Sequence, residues 1–430
     1  MTPYEEGCIL SFLFKNPEKT NKETFLAFTY PYKYEDLQHT LDGIEESFCK
    51  FPLDFNELNT IDKTEIYINR ETVIKSLENQ NLDLLTITDL NGIEDSFEET
   101  LPDLFPVETN KRPHTFKNKE IIFVSSRVHP GETCASYVMK GFVDFLLSKD
   151  NELAMKLREK YVFKILPMLN PDGVARGHYR MDTRGVNLNR DYENPSKKQS
   201  PTIFAAKKLI DYYHSLSNKE SISKSRIFLY IDIHGHATEK GIFVHGNHSE
   251  NTNFKVKTSL FPKLMAINDP CFSYEKCKTS NLTLDDHVNG TNLDGCGRAY
   301  AHRVTGLAQT YTLECSFNGG ENKMGENEEY TPETYAHFGE SIAVSILDLT
   351  ESNPQSKMSD TPLKNLAGVK SWVTKRIKAQ EMKEASRKSA IGSLLNNLSA
   401  KVGLQTPENN KATKVDGSGH KRGRRSSGTI

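Results

Sequence analysis

Cysteine is sparse and unpatterned here: seven residues in 430, an odd number with no framework of spacing. That excludes a disulfide-stapled scaffold and suits free thiols in a reducing compartment. Cys271, Cys277 and Cys296 fall in one region, but their spacing matches no metal knuckle. No apolar run approaches the roughly 20 residues that a membrane span requires. The opening stretch, Met1–Gly7, carries Glu5 and Glu6 and lacks an apolar core, so no signal peptide is expected. No internal repeat is visible. What the chain has is length, enough for a large hydrophobic core.

It also has a set of metal-ligating side chains in a telling setting. His129-Pro130-Gly131-Glu132 is followed, 102 residues after Glu132, by His234. Two neutral imidazoles and one carboxylate are what a catalytic zinc needs, because three protein ligands leave a fourth position for water. A bare H-x-x-E is weak by itself and reads as a surface turn in any chain with 13 histidines. Its neighbours change the weighing. Ile121–Ser126 reads as a buried strand, Arg127–Glu132 as the turn leaving it, and Ala135–Leu147 has helical periodicity. Ile227–Ile233 is almost wholly apolar, as in a strand buried on both faces, and His234 ends it. His236 is second to His234 as a ligand and reads as a supporting or simply exposed residue. Ligands at strand ends sit at the carboxyl edge of a sheet, where open α/β folds place their sites.

Three more segments belong with these. Asn170-Pro171-Asp172-Gly173 ends another apolar strand, Tyr161–Leu169. The stretch Gly177–Arg190 follows, rich in Arg and Asn. Tyr311-Thr312-Leu313-Glu314-Cys315 places a lone carboxylate inside an apolar strand, where Glu is rare unless paired or employed.

With these motifs in this order the chain resembles the zinc carboxypeptidases, and among them the cytosolic carboxypeptidases that trim glutamates from tubulin tails. The similarity rests most specifically on Ser125–Glu132 combined with Pro167–Gly173. It runs from Phe25–Pro31 through Asp83–Thr88 to Ser371-Trp372-Val373. The resemblance implies one zinc per chain held by His129, Glu132 and His234. It implies Arg180 as the group that polarises the scissile carbonyl, Asn189 and Arg190 as the grip on the substrate's terminal carboxylate, and Glu314 as general base. The chemistry is coherent in its own right: zinc brings the pKa of water towards neutrality, a nearby carboxylate takes the proton, and a planar guanidinium can donate two parallel hydrogen bonds to a carboxylate. The stretch Asp294–Arg298 matches the floor of the pocket for the departing side chain, so Arg298 is expected to pair a glutamate carboxylate; Arg184 and Arg303 are the next candidates. An ion pair of Arg298 with Asp294 or Glu340 is the structural alternative.

Two departures from the family pattern stand out. Most members carry Asp two residues before the Asn-Arg pair, orienting a ligand histidine, and here it is Asn187, which can still accept the imidazole N–H but adds no charge. Relatives also carry a β-rich domain before the catalytic one, of which only strands at Cys8–Phe14 and Glu23–Thr29 fit here.

The expected organisation is a β remnant over 1–29, a catalytic domain over 30–352, a helical extension over 353–402 and a disordered basic tail over 403–430. The expected fold is three-layer α/β/α with a mixed, mainly parallel sheet. Tyr34–Phe48 reads as a helix with Leu37, Leu41 and Ile44 on one stripe, and Pro201–Leu216 and Thr331–Leu349 as two more. Asn247–Lys257 reads as polar loop, and the Lys-rich Leu363–Leu398 as a helix packed on one side. Lys401–Ile430 holds seven Lys or Arg against Glu408 and Asp416, +5 in a chain of net charge −2. Its Lys421–Arg425 run would attract acidic tubulin tails or serve nuclear import; without interleaved aromatics it gives no case for nucleic acid. The function these readings converge on is removal of C-terminal or branch-point glutamate from glutamylated tubulin and similar glutamate-rich tails, in the cytoplasm at microtubules or cilia, with no membrane partner. Two other readings are a zinc amidohydrolase of small acylated amino acids and an inactive microtubule-binding relative.

Overall fold

Strands that are apolar along their whole length must be covered on both faces, and alternate side chains of the central strands do enter two separate cores. The structure, a computed structural model, describes residues 13–15, 23–48, 55, 60–106, 112–216, 225–280, 295–317, 319–321 and 325–402. By contacts the chain divides into units 1–377 and 378–430.

In the first unit, α1 (Tyr34–Phe48) precedes the antiparallel pair β1 (Ile66–Lys75) and β2 (Asn81–Asp89). A side ribbon joins β3 (Ile93–Phe97) to β4 (His114–Phe116). Then come β5 (Glu120–Ser126), α2 (Cys134–Leu146), α3 (Glu152–Lys160), β6 (Tyr161–Leu166) and the short α4 (Pro171–Ala175). Next are α5 (Pro201–Ser215), β7 (Ile227–His236), β8 (Ile242–Asn247), α6 (Thr252–Asn268) and β9 (Lys278–Ser280). The series closes with α7 (Gly297–Thr305), β10 (Thr310–Ser316), α8 (Pro332–Asp348) and the start of α9 (Leu366–Val402), which belongs to the second unit from residue 378 on. One eight-stranded sheet has the order β1-β2-β6-β5-β7-β10-β8-β9. Its centre, β6-β5-β7-β10, is parallel, β8 and β9 pair in parallel, and β1–β2, β2–β6 and β10–β8 are antiparallel.

The layering follows from the alternation. Ile122 and Val124 of β5 join Leu229, Ile231 and Ile233 of β7 in a core built with α1, α2, α3, α6 and α8. Ile121 and Phe123 join Tyr230 on the opposite face, under α5 and α7. The α/β/α sandwich expected from the sequence is thus what forms. Among the described residues no helix is long and apolar enough to cross a membrane.

Element ends show local causes. α8 starts at Thr331, whose hydroxyl accepts the Thr334 N–H, with Pro332 at its first position. Residues 247–257, expected as loop, instead contain the start of α6. Asn251 caps it by accepting the Phe254 N–H, and Val256, Leu260, Phe261 and Leu264 give it a buried face that a short polar window conceals. Pro262 inside α6 removes the N–H that would bond the Thr258 carbonyl; the Tyr311 hydroxyl donates to that carbonyl instead, at 2.9 Å. The expected strand Glu23–Thr29 has no regular structure, and Phe25, Leu26 and Phe28 are exposed; among the described residues no strand edge pairs with it. Cys8–Phe14 lies outside the described residues apart from Leu13 and Phe14, as does 403–430. In α9, Val369, Val373 and Ile377 are buried, the one-sided packing expected, while residues 378–395 are mostly exposed.

α2 and α8 approach closely at two glycines. A Cβ at Gly141 would collide with the Ala336 carbonyl oxygen, and one at Gly339 with the Val138 carbonyl oxygen. Helix propensity favours replacing either glycine by about 0.5–1 kcal/mol, but backbone atoms cannot yield as a flexible side chain can. Overpacking of this kind costs about 1–3 kcal/mol, so packing wins. Gly141→Val and Gly339→Val should each lower stability by about that amount in urea unfolding; an unchanged midpoint would show that the two helices can separate without loss.

Candidate active site

The face of the sheet that meets α5 and α7 turns polar towards the strands' carboxyl ends. Phe123 and Tyr230 are core, and two residues on in each strand stand Ser125 and Asp232, paired in register across β5 and β7. One step further, His234 of β7 lies beside Glu314 of β10, and Thr312 lies between Asp232 and His245 of β8. His234 therefore sits inside β7, which continues to His236, and not at its end.

The first histidine arrives on a loop held by several independent contacts. Arg127 adopts φ of 55°, a left-handed conformation uncommon for a bulky residue. Its buried guanidinium donates to the Pro130 carbonyl (2.7 Å), the Tyr32 carbonyl (3.1 Å) and the Ser136 hydroxyl (2.6 Å), tying loop, N-terminal segment and α2 together. Burial brings its pKa down to about 10, so it remains charged. Asn170 donates to the Val128 carbonyl and accepts the Gly173 N–H. Gly173 has no room for a Cβ against Pro130, and a Cβ at Gly131 would lie 2.7 Å from the Tyr179 carbonyl oxygen. The Asn170–Gly173 motif is thus a cradle for the His129–Glu132 loop.

Three donor groups converge at the result. His129 Nδ1 lies 2.8 Å from one Glu132 oxygen, His234 Nδ1 lies 3.0 Å from the other, and the two Nδ1 atoms are 3.2 Å apart. A tetrahedral ion with bonds of about 2.0–2.1 Å has ligand-to-ligand edges of about 3.3 Å, so the spacing fits zinc. The outer nitrogens set the tautomers. His129 Nε2 meets the Asn187 amide oxygen at 3.1 Å, and that oxygen is identified because it also accepts the Asn189 N–H. His234 Nε2 meets an Asp232 oxygen at 2.7 Å, and Ser125 donates to the other at 2.8 Å. With N–H pointing outward on both rings, each imidazole would turn a lone pair inward beside the carboxylate, an arrangement that suits a cation held between the three groups. His129, Glu132 and His234 are all buried, and among the described residues they are the group able to hold a metal. Without metal, burial holds His129 below its ordinary pKa. Burial also acts against the charged form of His234, but Asp232 and Glu132 outweigh it and raise that pKa.

The cleft over this trio, about 290 Å³, brings together every residue selected from the sequence: Arg180, Asn189, Arg190, Arg298 and Glu314 line it with the three ligands. Arg180 lies 3.8 Å from a Glu132 oxygen and is partly exposed. Asn189 is fixed by accepting the Gly297 N–H, and Arg190 donates to the Asn189 carbonyl. Arg298, buried, is anchored by donating to the Gly246 carbonyl (2.8 Å) and to the Asn247 side chain. The two reserve candidates stand elsewhere: Arg184 pairs with Asp182, and Arg303 lies near Glu193 and Tyr300. Sequence reasoning missed Asp232, Ser125, His245 and Thr312, while Cys296 lines the cleft as part of the stretch expected at its floor. Asp232 alone carried a signal, being a carboxylate two residues before His234 in an apolar strand. His245 lines the cleft with its pKa brought down to about 4 by burial and the Arg298 charge, so it is neutral near pH 7. Burial pushes the Glu314 carboxyl up to about 7; the His234 charge opposes this, while Glu132 and Asp232 add to it.

Fold, ligand trio and arginine-lined cleft define a metallopeptidase of the carboxypeptidase type, and comparison with known proteins agrees. A family model described as zinc carboxypeptidase matches residues 60–336, and the chain belongs to that family. It is 31% identical over 502 residues to the human cytosolic carboxypeptidase-like protein 5, covering 94% of this chain and 55% of that protein. The Bos taurus protein of the same name is 31% identical, covering 87% and 53%. Human cytosolic carboxypeptidase 6 is 31% identical, covering 89% and 65%. The chain thus spans a little over half the length of the cytosolic carboxypeptidase-like proteins 5 that it matches. Among solved structures, a metallo-carboxypeptidase from Burkholderia cenocepacia superposes with a TM-score of 0.54 at 20% identity, covering 75% of this chain and 70% of that one. Carboxypeptidase A from Helicoverpa armigera gives 0.50 at 16% identity, covering 78% and 76%. These likenesses bear on the fold alone.

The raised Glu314 pKa has a measurable consequence in the metal-free protein. The unfolded chain releases this proton near the ordinary value of 4.5, the folded chain only near 7. Folding therefore loses stability as pH rises through that window, and Glu314→Gln escapes the loss. Carbon-13 NMR should show a carboxyl titrating near 7, absent in Glu314→Gln, and the variant should be the more stable at pH 8 but not at pH 4. A midpoint in the usual carboxylate range would contradict the burial argument.

Proposed function

We propose that this chain is a zinc-dependent carboxypeptidase that removes C-terminal or branch-point glutamate from glutamate-rich protein tails, glutamylated tubulin above all. The observation that carries the reading is the placing of three guanidiniums, Arg180, Arg190 and Arg298, in one cleft with Glu314 and the ligand trio. A departing glutamate presents two carboxylates beside the scissile carbonyl, and three cations match those three groups.

Zinc held by His129, Glu132 and His234 would supply Lewis acidity and bring water towards ionisation at neutral pH. Glu314, near-neutral in its own pKa, is suited to take the proton of the attacking water and hand it to the departing amine. Arg180 faces the carbonyl oxygen as it gains charge. Asn189 and Arg190 hold the α-carboxylate of the last residue, a task for which a planar fork is suited. Arg298, held by Gly246 and Asn247, pairs with the γ-carboxylate. The names of the relatives support a cytosolic setting. The basic run at Lys421–Arg425 supports association with acidic microtubule tails.

Mass spectrometry of glutamylated tubulin incubated with the purified chain tests the substrate: loss of glutamate masses is expected, and hydrolysis of small acylated glutamates with intact tubulin would reassign the enzyme. His129→Ala should remove zinc and activity together by elemental analysis and assay. Glu314→Gln should keep zinc yet lose about two to four orders of magnitude in kcat, and near-normal turnover would exclude it as the base. Arg298→Leu leaves a γ-carboxylate without its partner, a loss on the order of 2–5 kcal/mol for Glu-ending peptides. Tyr-ending peptides in the same variant report any general damage. A kcat/KM ratio between the two peptides that does not move would place acidic selectivity elsewhere.

A further inference from the structure

We infer that Asp232 is a positioning residue that sets zinc affinity through His234, supplying the carboxylate charge that Asn187 does not supply to His129. The inference rests on the zinc reading of the ligand trio. Both histidines present Nδ1 inward and Nε2 outward, but their outer partners differ in kind: a neutral amide oxygen at 3.1 Å for His129 and a carboxylate oxygen at 2.7 Å for His234. A carboxylate behind an imidazole makes the inward nitrogen a stronger donor, as well as fixing the ring. An amide fixes the ring without that gain.

The buried Asp232 carboxylate has a partner for each oxygen. Ser125 and Asp232 are each 1% exposed and are partners in the β5–β7 register. The serine hydroxyl donates to the Asp232 oxygen that the histidine does not use, at 2.8 Å. Burying a carboxylate is costly unless its lone pairs are engaged, and here each oxygen has a partner. Asp232 is neither one of the three converging groups nor part of the cleft lining, and its hydrogen bond into the trio is the one to His234.

The test reads zinc and not turnover. Zinc dissociation constants are measured by chelator competition on the purified full chain for Asp232→Asn, for Asn187→Asp and for the double variant. Asp232→Asn should weaken zinc about 10–100-fold. Adding Asn187→Asp, which moves the charge to the other histidine, should restore affinity to within a few-fold of wild type. A purely structural role for Asp232 could not be rescued from a residue 45 positions away on another loop. Wild-type affinity in Asp232→Asn overturns the assignment, and so does a weakened Asp232→Asn that the second change fails to rescue. If Asp232→Asn does not fold, Asn187→Asp alone should tighten zinc several-fold, and unchanged affinity overturns the inference. A wild-type chain that takes up no zinc overturns the metal reading and this assignment with it, an outcome separate from wild-type binding that is indifferent to Asp232.

Discussion

Parallel pairing of β5, β7 and β10 governs where Ser125, Asp232, His234 and Glu314 lie. The register sets Ser125 beside Asp232 and His234 beside Glu314, so residues far apart in sequence share one face at the carboxyl end of the sheet. Because these strands are buried on both faces, a slip by one residue would turn Phe123, Tyr230 and their neighbours from core to core and carry the site to the wrong layer. The two hydrophobic cores thus hold the register, and the register holds the chemistry.

The ligand loop depends on a second level of support that uses polar groups in place of packing. Arg127 in a left-handed conformation, Asn170 and the cramped Gly131 and Gly173 confine His129 and Glu132 from several directions. Left-handed backbone at a non-glycine residue costs on the order of 1–3 kcal/mol, and hydrogen bonds to charged groups contribute about 1.5–3 kcal/mol each. Three such bonds from one guanidinium offset the strain. The three side chains are thereby held in place before any cation arrives, which lowers the reorganisation that binding requires.

The cleft itself holds charges of both signs. Glu132 and Glu314 line it with His129 and His234, and Arg190, Arg298 and the neutral His245 line it as well. Burial pushes the Glu314 carboxyl upward while Glu132 is held low by its two imidazoles. Two acids in one cleft thereby differ in how readily they hold a proton, a separation that the proposed ligand and base roles would use.

Much of this was legible in the chain itself. Apolar runs gave the four central strands β5, β6, β7 and β10, periodicity gave α1, α2, α5 and α8, and the motifs with the family resemblance they carry named eight residues that one cleft brings together. Local signals suffice for these because period and capping act over a few residues. The start of α6 was missed because its cap lies in a polar window while its buried face begins only at Val256. Glu23–Thr29 carries a strand's composition, but a strand needs an edge to pair with, which composition does not report. The sequence by itself determined which groups could bind a metal, take a proton or pair a carboxylate. Only the tertiary structure decided that Asp232 stands behind His234, that Arg127 locks the ligand loop and that His245 faces Arg298, because strand register and loop packing join residues with no relation along the chain.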